Sequence, residues 1–313
     1  MATIEFTLAD DGGNPMAFRR IAESHGLTGV APWSRPAEGA LNVVISTHSG
    51  PRELRFSSDS PDLPGAPTRV SWAGALTDLG GKPKAVARVR RILGLQRDLT
   101  SFLGLADSDP DLAWVRADGA GCIARGDTAF EDVLRTILTT NCSWSMTIRM
   151  TQLLVGSLGS EARPGLEPHE GRAFPSPASV SELTEGDLKE KIRVGYRAGR
   201  IGELARLVVS GELDLEGLAE SGPGELTDRD LTRRLQALPG VGPYAAAHIG
   251  LLIGRPSGVI LDSWTRPKYA RITGRKHVTD AEIRKRVNRY GPDAGLALWL
   301  ILTRNWFEPG LPS

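Results

Sequence analysis

The chain has 313 residues, 40% hydrophobic and 24% charged, with a net charge of +1. That is enough to bury a large core in two or three domains. It carries no run of about 18 apolar residues to span a membrane, no basic, apolar leader at Met1-Ala2-Thr3-Ile4-Glu5-Phe6, and only Cys122 and Cys142, too few for a disulfide framework or a four-cysteine metal site, so a reducing cytoplasm is the expected home.

Residues 1 to about 75 read as β-rich. Thr3 to Leu8 alternates like a half-buried strand. Leu41–Ser46 and Glu53–Phe56 flank Ser49-Gly50-Pro51 as a hairpin, and Arg69–Trp72 forms a further strand. Gly- and Pro-rich loops cover 61–67 and 75–83. This part carries no catalytic pattern. From Lys82 to Leu105 the period turns helical. After a connection to Gly126, Thr128 and Glu131 make a capping-box pattern. The helix they open presents Phe130, Val133, Leu134, Ile137 and Leu138 on one face and ends near Thr140-Asn141. A second helix runs from Ser143 to Leu158, followed by a surface loop over 159–179. Ala178 to Val209 is helical again, with Gly195-Tyr196-Arg197-Ala198 between two helices. A basic helical stretch spans Lys268–Tyr290, and an apolar helix, Ala294–Trp306, closes the chain.

The most informative stretch is Leu238-Pro239-Gly240-Val241-Gly242-Pro243-Tyr244 within 231–253. Helical segments lie on both sides, Pro239 ends the first, and the glycines permit a tight reversal, so the pattern is a helix-hairpin-helix. Free N–H groups at the start of the second helix make a site for one phosphate; an ordinary αα-turn reads almost the same. Asp262 follows an apolar run and precedes a further helix. By itself it reads first as an ordinary N-cap. From Arg233 onward thirteen basic residues face five acids, a net +8 against +1 for the whole chain. Such a segment suits a phosphate-rich partner or is a solvated face.

The hairpin followed by Asp262 resembles the helix-hairpin-helix DNA glycosylases, the superfamily named for that motif with a Gly/Pro-rich loop and an Asp. Further stretches match in order: Ala129-Phe130-Glu131 through Thr139-Thr140-Asn141, Phe174-Pro175-Ser176-Pro177, and Gly195-Tyr196-Arg197-Ala198. The match covers most of the chain and is tight over 128–306. The branches it is most similar to are the bacterial 3-methyladenine DNA glycosylase II and 8-oxoguanine DNA glycosylase. The resemblance implies an α+β, mainly α protein: an N-terminal antiparallel β-sheet domain with a helix over 1–112, then a two-lobed, all-helical glycosylase core over 113–313 with a cleft between the lobes. It implies a monomer acting on double-stranded damaged DNA in the cytoplasm, at the nucleoid. The iron–sulfur cluster of some members is excluded, because no Cys follows Cys142.

In that family the hairpin grips the DNA backbone and an Asp at this place does the chemistry. Carried over, Asp262 stabilises the oxocarbenium-like sugar and orients water. Leu238, Gly240, Val241 and Gly242 bind the backbone, and Thr140 and Asn141 enter the duplex or meet the orphaned base; Asn141 also suits a plain helix C-cap. Bifunctional members carry a Lys two residues after the second hairpin Gly; here that residue is Tyr244, so a monofunctional, water-using enzyme without lyase activity is expected. Tyr244, Trp264 and Trp299 are the base-pocket candidates, with Trp144 beside them; core packing accounts equally for Tyr244 and is the favoured reading of the three Trp. His248 reads as a satisfied core histidine. No side chains form a metal site and no cofactor is needed for the chemistry; a cation bridging the hairpin carbonyls of 238–242 to a phosphate is the one ion the family suggests. The expected substrate is an alkylated purine. The rivals are an oxidised purine, and a non-catalytic protein that binds damaged DNA.

Overall fold

The computed structural model describes residues 1–37 and 39–306. The end of the expected second unit, 307–313, lies outside the described residues. A five-stranded antiparallel sheet opens the chain: β1 (Ala2–Thr7), β2 (Trp33–Ser34), β3 (Ala40–Ile45), β4 (Arg52–Ser57) and β5 (Pro67–Trp72), in the order β1-β5-β4-β3-β2. The alternation of β1 is real: Ala2 and Ile4 are buried and Thr3 and Glu5 exposed. In β3 all six residues are buried, so the strand is covered on both faces. Between β1 and β2, α1 (Phe18–Ala22) and a 3₁₀ turn (Gly26–Gly29) carry the chain toward the helical part.

The helices that follow are α2 (Lys82–Ile92), α3 (Thr100–Ala106), α4 (Trp114–Ala117), α5 (Ala129–Thr139), α6 (Trp144–Leu158), α7 (Pro177–Ser181), α8 (Glu185–Glu190), α9 (Ala198–Val209), α10 (Leu215–Glu220), α11 (Asp228–Gln236), α12 (Pro243–Leu252), α13 (Thr265–Ile272), α14 (Asp280–Val287) and α15 (Ala294–Thr303). Two stretches read as continuous helices are each broken into a pair. Gly94 separates α2 from α3, and Gly274 separates α13 from α14. The apolar period survives such a break, which is why it misleads. α15 ends at Thr303 rather than Trp306.

The interior forms two hydrophobic clusters. One joins the sheet to α2, α3, α14 and α15; the other gathers α5 to α12. α5 is central to the second. Every residue from Ala129 to Leu138 is buried, including Glu131, Asp132 and Arg135. The expected capping box is only half made. Thr128 accepts from the Glu131 N–H, but the Glu131 carboxylate turns to the Trp33 indole N–H (3.2 Å) and to Arg135 (3.1 Å). Arg135 in turn donates to the carbonyls of Leu27 and Val30. A buried ion pair thus ties α5 to the N-terminal segment.

Candidate active site

The hairpin is built as its residues demand. Val241 N–H donates to the Leu238 carbonyl (3.1 Å), with Pro239 and Gly240 as the central residues. Gly240 has φ +84°, which matches Pro at the second and Gly at the third position of a type II turn. Gly242 is the N-cap of α12 and Pro243 its first residue. Leu238 and Val241 bury their side chains in the second cluster, so what this loop offers a ligand is backbone. The N–H groups of Gly240, Gly242, Tyr244 and Ala245 have no acceptor among the described residues. Free donors of this kind at a helix N-terminus suit one phosphate.

Gly242 has φ −94°, and a Cβ built there meets no atom within 4 Å. Gly242→Ala is therefore expected to melt within a few degrees of wild type yet bind duplex DNA more weakly, because the methyl stands where a phosphate must approach. Equal affinity in a filter-binding titration would remove the hairpin from the DNA interface.

Asp262 stands at the start of α13. Its Oδ1 accepts from the N–H groups of Trp264 (3.0 Å) and Thr265 (2.7 Å), and no protein donor reaches Oδ2 among the described residues. One oxygen thus makes the cap, and the other is left for a ligand. Asp262 lines a cleft of about 1080 Å³. The cleft is walled by the hairpin, by the Ile137–Trp144 turn, by Tyr196 and Arg200, by α15, and by His25, Gly26 and Leu27 of the N-terminal segment.

Aromatic rings run along one wall in contact. Tyr244 meets His248 (centroids 5.9 Å), His248 meets Trp299 (6.0 Å), and Trp299, Trp264 and Trp306 pack mutually at 5.6 to 6.0 Å. Trp299 is both core and wall: it is buried, and its indole N–H donates to the Ser24 carbonyl (2.8 Å). Tyr244 places its hydroxyl 3.3 Å from Thr139 Oγ1 and 3.5 Å from His248 Nδ1. Burial raises the pKa of that phenol, so the ring stays neutral.

Trp144 departs from the core reading, being 46% exposed at the mouth. It lies so close over Gly26 that a Cβ there would sit 2.8 Å from the ring. Trp306, His25 and Gly26 did not stand out in the sequence. Trp306 follows Trp299 by seven residues, two helical turns, and that repeat was the available signal. For His25 and Gly26 there was none.

Asn141 and Thr140 take different roles. Asn141 is exposed, with φ +47°, and donates from Nδ2 to the Tyr196 hydroxyl (3.3 Å); Asn tolerates this left-handed conformation better than most residues. The Thr140 hydroxyl donates to the Ile137 carbonyl (2.7 Å) and accepts from Arg197 Nε (3.3 Å), and its carbonyl accepts from Arg197 Nη2. Arg197, stacked on Tyr196 at 4.5 Å, therefore clamps the turn that presents Asn141. The basic C-terminal region is paired in part: Arg255 with Asp228, Arg266 with Asp280, Arg275 with Glu282, and Arg286 and Arg289 with Asp109. Its surplus of +8 is thus spread less freely than the residue count implied. Among the described residues no cluster of His, Cys, Asp and Glu could hold a metal ion, and no helix is long and apolar enough to cross a membrane.

No protein-family model matches the chain, and no curated protein matches it in sequence. Solved structures do match. A 3-methyladenine DNA-glycosylase from Archaeoglobus fulgidus superposes with a TM-score of 0.73 at 17% identity, over 99% of this chain and 100% of that one. MBOgg1, in complex with a low-affinity DNA ligand, gives 0.69 at 20% identity over 96% and 94%. The Clostridium acetobutylicum 8-oxoguanine glycosylase/lyase, bound to DNA with cytosine opposite 8-oxoguanine, gives 0.65 at 20% over 90% and 92%. The chain has the helix-hairpin-helix DNA glycosylase fold. In this glycosylase fold the segment between β1 and β2 is part of the site, since His25, Gly26 and Leu27 close one side of the cleft.

His25 and His248 are both buried, and burial holds them to about 3 and about 4. His25 donates from Nε2 to the Ala124 carbonyl (2.6 Å) and accepts at Nδ1 from Leu27 N–H (3.1 Å), which assigns its tautomer. Below pH 6.5 the unfolded chain takes up protons that these folded rings refuse, so stability present above pH 6.5 is lost as pH falls toward 4. The effect is on the order of 3 kcal/mol for each ring. Melting temperature is expected to fall steeply from pH 7 to 5, and less so in His248→Phe; equal slopes would contradict this.

Proposed function

We propose that this protein is a base-excision DNA glycosylase that turns a damaged purine out of the duplex and hydrolyses its N-glycosidic bond with water. The observation that carries the reading is Asp262, fixed by two backbone N–H groups on one oxygen at the wall of an aromatic cleft that also holds the hairpin. The hairpin N–H groups take a phosphate and set the register. A flipped base enters the cleft at a cost of a few kcal/mol in lost stacking, which the faces of Tyr244, Trp264, Trp299 and Trp306 offset. As the bond stretches, positive charge grows at the sugar, and the free oxygen of Asp262 stabilises it and orients water. The carbonyls of Pro239, Gly240 and Val241 accept no hydrogen bond among the described residues, so they suit a cation shared with the phosphate, which would strengthen the grip and take no part in the chemistry.

The substrate we favour is an alkylated purine. Such a base is cationic and already a good leaving group, so it asks for ring faces more than for specific donors. Neutral His248 and neutral Tyr244 put no positive charge against it. Tyr244 stands where a lyase lysine would be, and no lysine lines the cleft, so strand cleavage is not part of the reading. A second reading, an oxidised purine recognised with its partner base, draws on the Asn141–Tyr196–Arg197 arrangement.

The deciding assay is base release from duplexes that carry one lesion each, with and without hot alkali. Release of 3-methyladenine, with nicks only after alkali, is expected. Release of 8-oxoguanine alone selects the second reading. Nicking without alkali refutes the water-using mechanism, and binding without any release refutes the enzyme.

A further inference from the structure

Charge is scarce in the cleft. Its lining holds one acid, Asp262, and two arginines, Arg197 and Arg200. The two arginines differ. Arg197 is buried, and its guanidinium is committed to the Thr140 hydroxyl and carbonyl, to the Val194 carbonyl and to the Tyr196 ring. Arg200, in the first turn of α9, is exposed and has no hydrogen-bond or ion-pair partner among the described residues. Glu203 follows it at the spacing of a helical ion pair, yet the two do not pair, and Arg200 does not pair with Asp262 across the cleft either.

The stem of Arg200 is placed by the hairpin. A Cβ built on Gly240 would lie 3.4 Å from Arg200 Cβ and 3.5 Å from its Cδ, so the stem runs over the turn whose Gly240 and Gly242 N–H groups have no acceptor among the described residues. Packing of the stem leaves the charged head in water and removes part of the entropy that a long side chain loses when it binds.

An accessible, uncommitted guanidinium beside free backbone donors suits an anion. That anion is not the base, since a cationic purine is repelled by Arg200. It is not Asp262, whose bound oxygen is held by backbone N–H groups at the start of α13. The anionic group that a duplex brings to the hairpin is a backbone phosphate, and a guanidinium fork matches its oxygens.

We propose that Arg200 holds a DNA phosphate beside the hairpin, in damaged and undamaged duplex alike, and takes no part in bond breaking. The proposal rests on the base-excision reading for its ligand. The test is an anisotropy titration of the whole chain with undamaged and single-lesion duplexes over about 50 to 200 mM salt. Arg200→Gln is expected to melt like wild type, because the side chain is exposed. It should bind both duplexes about tenfold more weakly at the lowest salt and make the slope of log affinity against log salt shallower by about one. Arg200→Lys keeps the charge and should restore the slope. Single-turnover base release at saturating enzyme should stay within about twofold of wild type, with the loss confined to the enzyme concentration that gives half the maximal rate. Wild-type affinity and slope in Arg200→Gln, or a lower saturating rate at unchanged affinity, would overturn the proposal. A chain that binds duplex with an Arg200-dependent slope but releases no base would end the base-excision reading and keep this contact. Normal release with an unchanged slope would end this contact alone.

Discussion

Asp262→Asn is expected to lower the rate of base release by about 10²- to 10⁴-fold while leaving the fold and DNA affinity nearly unchanged. The amide oxygen of Asn can still accept from the Trp264 and Thr265 N–H groups, now 3.0 and 2.7 Å from Oδ1, so the start of α13 stays capped. What is lost is the negative charge beside the sugar, which matters only as the glycosidic bond breaks. Single-turnover release measures the loss and a melting curve checks the cap. Asp262→Ala separates the two roles, because it also removes the cap at a cost of about 1 kcal/mol. Release by Asp262→Asn at the wild-type rate would end the catalytic assignment, whatever the hairpin does.

The second large effect is expected far from the chemistry. Arg135→Ala should destabilise the protein by about 3–5 kcal/mol, because it strands the Glu131 carboxylate in the interior. Glu131 and Arg135 are 1% and 2% exposed. Burial already raises Glu131 to about 7 against the pull of Arg135. Without the arginine the carboxyl is accommodated only in its neutral form. The deficit should therefore be smallest near pH 5, where the group can hold a proton, and grow as pH rises through neutrality. Denaturant midpoints at pH 5.5 and 8 would show it. A deficit independent of pH would mean that lost packing, not stranded charge, is the cause. Because Arg135 also holds the carbonyls of Leu27 and Val30, the variant should loosen the His25–Leu27 wall of the cleft and reduce base release even where it remains folded. Glu131→Gln leaves those carbonyl bonds in place and is the control.

The local parts of this protein were legible in its sequence. The hairpin was, because Pro and Gly act on their own φ angles and the turn at Leu238–Val241 is closed within four residues. The start of α13 at Asp262 was, because a cap is a bond to the next few N–H groups. The sheet and its hairpin were, because alternation and a Gly-Pro turn are short-range signals. The helix breaks at Gly94 and Gly274 were not, since the apolar period runs through them. What the tertiary structure alone decided is which of these parts meet. The Trp264–Trp299–Trp306 cluster, the burial of His248 against it, the exposure of Trp144 over Gly26, and the closing of the cleft by His25 all join residues far apart in the chain. A tryptophan has the same local pattern whether it lines a cleft or fills a core, and the difference lies in which distant surface packs against it.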